Sequence, residues 1–502
     1  MKTDHSGQFD SRLIFSLLFL YFALHIVLRI WISHGAELDE AEQLILSQEL
    51  RWGYGSQPPL FTWLLVSLST LSGPGVLSLA VMKNLLLFTT YTFVYLSARE
   101  ITQSRNAALV AMVSLLLIPQ VAWESQRDLT HSVLATCCAS ITLFVFLRLL
   151  KTGKTRFYLL FGCMAALGML SKYNYFIFLA ALLLAAMPIK PFRRILLSPK
   201  SIFSLAIFLL VVSPHLTWVW QNQAQAFASS KKFGAKLAFN DYGAYAEGIL
   251  SLGEAILAFL GPLLAAYFLF FFRKDIPGES TEAHTSLFGK FLRNYFLAIL
   301  LICTVPVFLF QVTKFKDRWM QPLFFAAPIY LSALFSHRLN ATRTKGLLLL
   351  CTLAGVCVLT ILPLRTFEAS YLDSYNRLNL PFEKLASKLQ ASGFRGGVIF
   401  ADDHLTGGNL RLFFHGSTVV TPKFFPSLSS RPGGQELIVW DASEKSSPPS
   451  LPPDVAGLLE AYHRPLPRGC QAEYLNVPLR FSTDHFMRLG YILVNPQVSA
   501  GL

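Results

Sequence analysis

The sequence predicts a polytopic α-helical membrane protein of about eleven transmembrane helices, followed by a small C-terminal α/β domain outside the membrane. Three observations carry that prediction. The 502-residue chain is 53% hydrophobic and only 14% charged, where a soluble domain carries about 25% charged residues. Its apolar residues gather in eleven runs close to the length of about 20 residues that a helix needs to cross a bilayer. Its Lys and Arg fall on alternate connections between those runs. Intrinsic disorder, collagen and a small disulfide scaffold are excluded by the same composition.

The runs lie at roughly 12–33, 75–98, 106–122, 129–149, 157–170, 173–189, 201–220, 249–272, 292–312, 319–336 and 345–363. Between 157 and 190 the only polar interruption is Ser171-Lys172-Tyr173-Asn174, which reads as a turn between two short passes; one long tilted helix is the alternative. Loop charge decides for two passes. With the N-terminus inside, every inside segment is basic: Arg99 and Arg105, then Lys151, Lys154 and Arg156, then Lys190, Arg193, Arg194 and Lys200, and so on to Arg338, Arg343 and Lys345. Cytoplasmic loops collect Lys and Arg in this way. The reading gives a cytoplasmic N-terminus, an uncleaved first span and an external C-terminus, in a cell inner membrane.

Two domains follow: 1–363, the transmembrane domain with a long external loop at 34–74, and 364–502, the extracytoplasmic (periplasmic) α/β domain. In the second, 381–391 reads as a helix, and 397–401 and 437–440 as strands. Its charge is nearly balanced, 13 Lys and Arg against 12 Asp and Glu, whereas 1–363 holds 30 against 17. The net +14 is therefore mostly the signature of inward-facing loops, and nucleic acid is excluded as a partner. Six of the seven Cys fall in predicted spans and no CxxC or His/Cys ligand spacing occurs, so neither a disulfide framework nor structural zinc is expected.

The external loop is the richest segment: Glu37-Leu38-Asp39-Glu40-Ala41-Glu42-Gln43, then Leu50-Arg51-Trp52-Gly53-Tyr54-Gly55-Ser56-Gln57-Pro58-Pro59-Leu60. Residues 39–50 form one amphipathic helix on the membrane surface, with Ala41, Leu44, Ile45 and Leu50 towards lipid or protein. Pro58-Pro59 ends one segment and starts a second surface helix, since proline suits a first helical turn. Asp39-Glu40-Ala41, Trp52-Gly53-Tyr54 and Pro58-Pro59-Leu60 at this spacing strongly resemble the first external loop of the GT-C type glycosyltransferases that use polyprenyl-phosphate sugars. The bacterial relatives of protein O-mannosyltransferases and the lipid A aminoarabinose and galacturonic acid transferases are the nearest in pattern. Asp128 at the outer start of the fourth span, the Ser171-Lys172-Tyr173 turn, and Pro214, Trp218 and Asn222 fit the same family, so the resemblance covers about 10–330. Ser56-Gln57 depart from it. Many aminoarabinose transferases have an acidic-Lys pair there, which counts against an aminoarabinose donor and leaves the reaction type untouched.

The resemblance implies transfer of a sugar from a polyprenyl-phosphate donor to an extracytoplasmic glycolipid or glycan, lipopolysaccharide or similar, with membrane lipids as surroundings. Such a reaction needs a carboxylate to take the acceptor proton and positive charge to hold the departing phosphate. The resemblance places Asp39 as the general base, with Glu40 beside it as a second catalytic candidate or an orienting group. Asp128 either shares that cleft or pairs with Arg127 or Lys172. The phosphate falls to Lys172 and to the cations Lys314, Lys316 and Arg318 of the external Lys314-Phe315-Lys316-Asp317-Arg318-Trp319 segment, Arg being the better bidentate phosphate ligand. Lys231 and Lys232 are weaker acceptor contacts. Trp52, Tyr54, Gln57, Pro58 and Pro59 form the substrate loop. No cofactor is named by the sequence, and a divalent metal in place of some cations stays open. His25 and Arg29 read as residues facing a neighbouring helix or outer headgroups, and Asp402-Asp403-His404 before Thr406-Gly407-Gly408 as a strand end running into a Gly-rich turn and helix, a plain turn in preference to a ligand site. The competing function is a transporter or lipid flippase, disfavoured because ionisable groups sit at span ends and no internal repeat is seen.

Overall fold

The computed structural model describes residues 9–228, 234, 242–271, 286–428, 434–443, 451–464, 466 and 470–495; Lys231 and Lys232 lie outside them. Among the described residues seven helices are long and apolar enough to cross a membrane: Ser11–Ile32, Val76–Thr102, His131–Thr152, Ser201–Gln221, Tyr242–Phe271, Leu287–Phe310 and Ala341–Phe367. An eighth span forms if Arg105–Leu117 and Gln120–Arg127, bent by 73°, are taken together. The three remaining predicted runs are present as shorter apolar helices, Thr155–Met169, Tyr175–Ala186 and Gln321–Leu334. At 1.5 Å per residue such helices reach only about 18–22 Å, short of a hydrocarbon core of about 30 Å.

Each break has a local cause. Ile118 is extended (φ −97°, ψ 108°) because the residue before a proline is driven out of the α region, and Pro119 then opens a π-helical turn over Gln120–Glu124. The 157–190 run is indeed two helices. The Tyr175 ring lies across Gly168, where a Cβ would approach within 2.0 Å of it, and the Tyr175 hydroxyl bonds Thr142 at 2.7 Å.

The chain divides into two compact units. The first comprises Met1–Leu24, Gly55–Phe61 and Lys83–Leu359. Its centre is the helix His131–Thr152, buried along nearly its whole length.

The second unit comprises His25–Tyr54, Thr62–Met82 and Thr360–Leu502. It holds a five-stranded sheet of β1 (Gly397–Ala401), β2 (Thr418–Val420), β3 (Gln435–Asp441), β4 (Glu473–Pro478) and β5 (Phe486–Val494). The order is β2-β1-β3-β5-β4, with β1 parallel to β2 and β3, and β5 antiparallel to β3 and β4. Strand alternation sends Ile399, Leu437, Val439 and Leu489 to one core and Phe400, Ile438, Trp440 and Ile492 to the other. The first core also takes Phe382, Leu385 and Leu389 of the helix Phe382–Ala391 and Leu410 of the helix His404–Phe413. The second core takes Val455, Leu458 and Leu459 of Pro453–Ala461.

The acidic loop belongs to this unit. Its helix runs from Leu38 to Leu46, and Ile45, Leu46 and Tyr54 enter the first core. It is shorter than the predicted 39–50: Ala41, Leu44 and Ile45 are buried as expected, but Leu50 falls beyond the helix end and is 65% exposed. The apolar face of the helix therefore meets protein.

Candidate active site

The helix Leu38–Leu46 carries the acidic group. Its first turn is closed reciprocally, with the Glu37 and Glu40 side chains satisfying each other's backbone N–H region in a capping box. Glu40 is completely buried. Its carboxylate accepts from Arg29 Nη2 at 2.5 Å and Nε at 3.3 Å, and from the Glu37 N–H at 3.1 Å. Arg29 spends its remaining donors on the carbonyls of Ser33 (3.0 Å) and Gly35 (2.8 Å). Arg29 is thus a buried ion-pair partner, settling the two readings its sequence position left open. Glu37 is met by Arg365 at 3.4 Å and Arg377 at 3.6 Å, and Glu42 by His404 at 3.6 Å. Asp39 stands among these held carboxylates, half-buried in the first turn.

The loop after the helix is fixed in the same unit. The Tyr54 hydroxyl donates to the Glu49 carbonyl (2.6 Å) and accepts from the Arg51 N–H (3.0 Å), and burial raises its pKa above the ordinary value. Trp52, half-exposed, sits edge-on to Trp63 at 5.3 Å, while Trp63 Nε1 donates to the Arg51 carbonyl.

In the first unit, four segments far apart in sequence converge. Pro58 and Pro59 are buried, Gln57 is half-buried, and the next N–H, of Leu60, donates to the Leu170 carbonyl at 3.0 Å. That carbonyl opens the turn bearing Lys172, whose Nζ donates to Ser132 Oγ at 2.6 Å, and His131 Nδ1 lies 3.3 Å from the Ser171 carbonyl. Asn174 Nδ2 donates to the Trp319 carbonyl (3.1 Å) and Gln120 Nε2 to Asp317 Oδ2 (2.7 Å). The Lys314–Trp319 segment is thereby tied both to the Lys172 turn and to the bent π-helical segment. Lys314 and Lys316 are exposed and Arg318 half-buried. Asp128 is buried at the end of the bent segment, its N–H on the Glu124 carbonyl at 3.1 Å. Arg127 pairs with Glu124 at 2.5 Å. His215 stacks between Tyr173 and Trp218, 5.8 and 6.0 Å away.

Sequence reasoning overlooked Lys83 and Gln120. Lys83 is 3% exposed on a membrane helix, beside Asn84, which accepts from Gln126 at 2.8 Å. The signal was there: a lone cation in an apolar run is a functional residue by default. Gln120 gave no signal, because only the turn after Pro119 aims it at Asp317. Among the described residues no cluster of three or more His, Cys, Asp or Glu side chains is arranged to hold a metal ion.

Broken spans, an acidic helix at the end of the first span and a sheet domain define a membrane glycosyltransferase of the GT-C type. ArnT from Cupriavidus metallidurans, solved bound to undecaprenyl phosphate, superposes with a TM-score of 0.59 over 95% of this chain and 98% of its own, at 11% identity. Residues 56–218 match the family of dolichyl-phosphate-mannose-protein mannosyltransferases. The lipopolysaccharide core galacturonosyltransferase RgtB of Rhizobium johnstonii is 32% identical over 98% of this chain and 99% of its own. RgtA of the same organism is 33% identical over 84% of this chain and 85% of its own. The chain belongs to the glycosyltransferase family of RgtA and RgtB, and the transporter reading is set aside.

Proposed function

We propose that this enzyme transfers a galacturonic acid residue from a polyprenyl-phosphate donor to the core of lipopolysaccharide, at the periplasmic face of the inner membrane. The observation that carries the sugar and the acceptor is the similarity, over 98% and 84% of this chain, to two lipopolysaccharide core galacturonosyltransferases. The donor rests on the shared fold with an enzyme solved with undecaprenyl phosphate. A cytoplasmic N-terminus and periplasmic residues 364–502 complete the proposal, supported by the basic bias of alternate loops.

In this mechanism the acceptor hydroxyl oxygen bonds to the anomeric carbon while the anomeric carbon–phosphate oxygen bond breaks. Asp39 takes the hydroxyl proton, and polyprenyl phosphate departs with the bonding pair. The transition state has oxocarbenium character, as in other glycosyl transfers. Asp39 suits the base because it holds the first acidic position of the family motif and is partly exposed in the first turn of its helix. Glu40 is a positioning residue: buried against Arg29, it holds the turn that presents Asp39. Lys172, Lys314, Lys316 and Arg318, joined by the buried Lys83, neutralise the phosphate, and Asp128 supports the Lys172 turn. Trp52 and Tyr54 shape the acceptor loop.

The test uses the purified protein with undecaprenyl-phosphate galacturonic acid and a lipopolysaccharide core lacking that sugar. Mass spectrometry should show the acceptor gaining one hexuronosyl residue. Gain of a different sugar, or no gain from any polyprenyl-phosphate sugar, refutes the assignment.

A further inference from the structure

The geometry points to the helix His404–Phe413 of the sheet domain as the element that positions the base Asp39, with Gly408 as the contact point and Asn409 as the clamp. This inference rests on the assignment of Asp39 as base and extends it to residues some 370 positions away in the chain.

The acidic helix is nine residues long, too short to hold its own course, since isolated helices below about 12 residues are marginal in water. Its direction must come from what it packs on. Gly408 meets it backbone to backbone: a Cβ at Gly408 would lie 2.3 Å from the Ala41 carbonyl oxygen and 2.7 Å from Ala41 Cα. Neither partner has a flexible end that can turn away. Ala41 is the second residue after Asp39, so the closest approach of the two helices falls beside the base.

One residue on, Asn409 grips the chain that leads into the acidic helix. Its Oδ1 accepts from the Ala36 N–H at 2.7 Å, and its Nδ2 donates to the Ala36 carbonyl at 3.1 Å. The same Nδ2 is anchored on the Leu405 carbonyl of its own helix at 2.9 Å. Asn409 is wholly buried, so its amide can be replaced neither by water nor by another residue's donor without loss. His404 meets Glu42 at 3.6 Å, and Arg411 donates to Ser47 Oγ at 3.1 Å. The contacts run in register along both helices, and Asp39 lies between the Ala36 clamp and the Ala41 contact.

A base that takes a proton during bond formation is sensitive to displacements of an ångström or less, while binding of a long lipid donor depends on many other groups. Displacing the helix should therefore lower kcat and spare KM. The experiment compares Gly408→Ala, Asn409→Ala, Asn409→Asp and Gly457→Ala in the purified full-length enzyme with undecaprenyl-phosphate galacturonic acid. Alanine is the better helix former, but its Cβ is driven into the Ala41 backbone, so Gly408→Ala should lower the thermal transition while, in the folded protein, kcat falls at least tenfold and the donor KM stays within twofold. Asn409→Asp keeps the acceptor for the Ala36 N–H but turns a buried carboxylate towards the Ala36 and Leu405 carbonyls, so it should lose more kcat than Asn409→Ala. Gly457, on the distant helix Pro453–Ala461 with no atom within 4 Å of an added Cβ, should behave as wild type. Combining Gly408→Ala with Asp39→Asn should add no further loss to the residual rate.

Wild-type kcat in folded Gly408→Ala and Asn409→Ala overturns the positioning role, as does a loss confined to KM or one fully additive with Asp39→Asn. Should Gly408→Ala not fold, the order of the two Asn409 variants decides. Full activity of Asp39→Asn measured alone removes the base assignment itself, a result distinct from all of these.

Discussion

Replacing Arg29 with methionine should destabilise the second unit severely, and the reason can be counted from its partners. The Arg29 side chain is 10% exposed and that of Glu40 is 0% exposed. Methionine fills a similar volume but leaves the Glu40 carboxylate buried without the Arg29 guanidinium, a loss of about 3–5 kcal/mol for a buried pair broken on one side. The carbonyls of Ser33 and Gly35 lose their guanidinium donor as well, at about 1 kcal/mol or more each where water cannot reach. Adding Glu40→Gln should recover much of this, because the amide oxygen can still accept from the Glu37 N–H while the stranded charge is gone. Thermal unfolding of wild type, Arg29→Met, Glu40→Gln and the double variant in detergent gives the cycle. The double variant is expected to be more stable than Arg29→Met. Additive losses, or a wild-type transition in Arg29→Met, would refute the reasoning.

Burial, aided by the neighbouring Asp403 charge, pushes the Asp402 carboxyl up to about 6 from 3.8. The folded protein then holds a proton that the unfolded chain releases earlier, so stability should fall by about 2 kcal/mol as pH rises from 4 to 6. Asp402→Asn should remove that slope from melting curves taken across the same interval. Lys172→Met should raise the donor KM roughly tenfold, the worth of one charge-assisted bond to phosphate; an unchanged KM would take Lys172 out of donor binding. Gln120→Leu strands the Asp317 Oδ2 acceptor and should lower kcat/KM by loosening the Lys314–Trp319 segment, with the fold retained in circular dichroism.

Apolar run length and loop charge made the membrane helices legible, but not their breaks. Hydropathy counts residues regardless of direction, so the bend at Pro119 and the short helices around Lys172 hide inside runs of adequate length. In the sheet domain β1 and β3 stood out as compact apolar strands. β5 was missed because its central Gly490 reads as a break, although the glycine is there to seat the Trp440 ring, 2.2 Å from where a Cβ would lie. The motif names Asp39 as the candidate base. Its supports were not legible: Asn409 looks like any polar residue on a helix, and only folding brings it to Ala36. Arg29 was left between a neighbouring helix and outer headgroups because nothing in a span's sequence says that a carboxylate eleven residues on will be buried against it.

The central claim is that Asp39 removes the acceptor proton during sugar transfer. Its most direct measurement is single-turnover transfer from radiolabelled undecaprenyl-phosphate galacturonic acid by Asp39→Asn protein that retains the wild-type thermal transition. Donor binding should persist while transfer falls by about 10²-fold or more, the typical contribution of general-base catalysis. Transfer at the wild-type rate by the folded variant would contradict it.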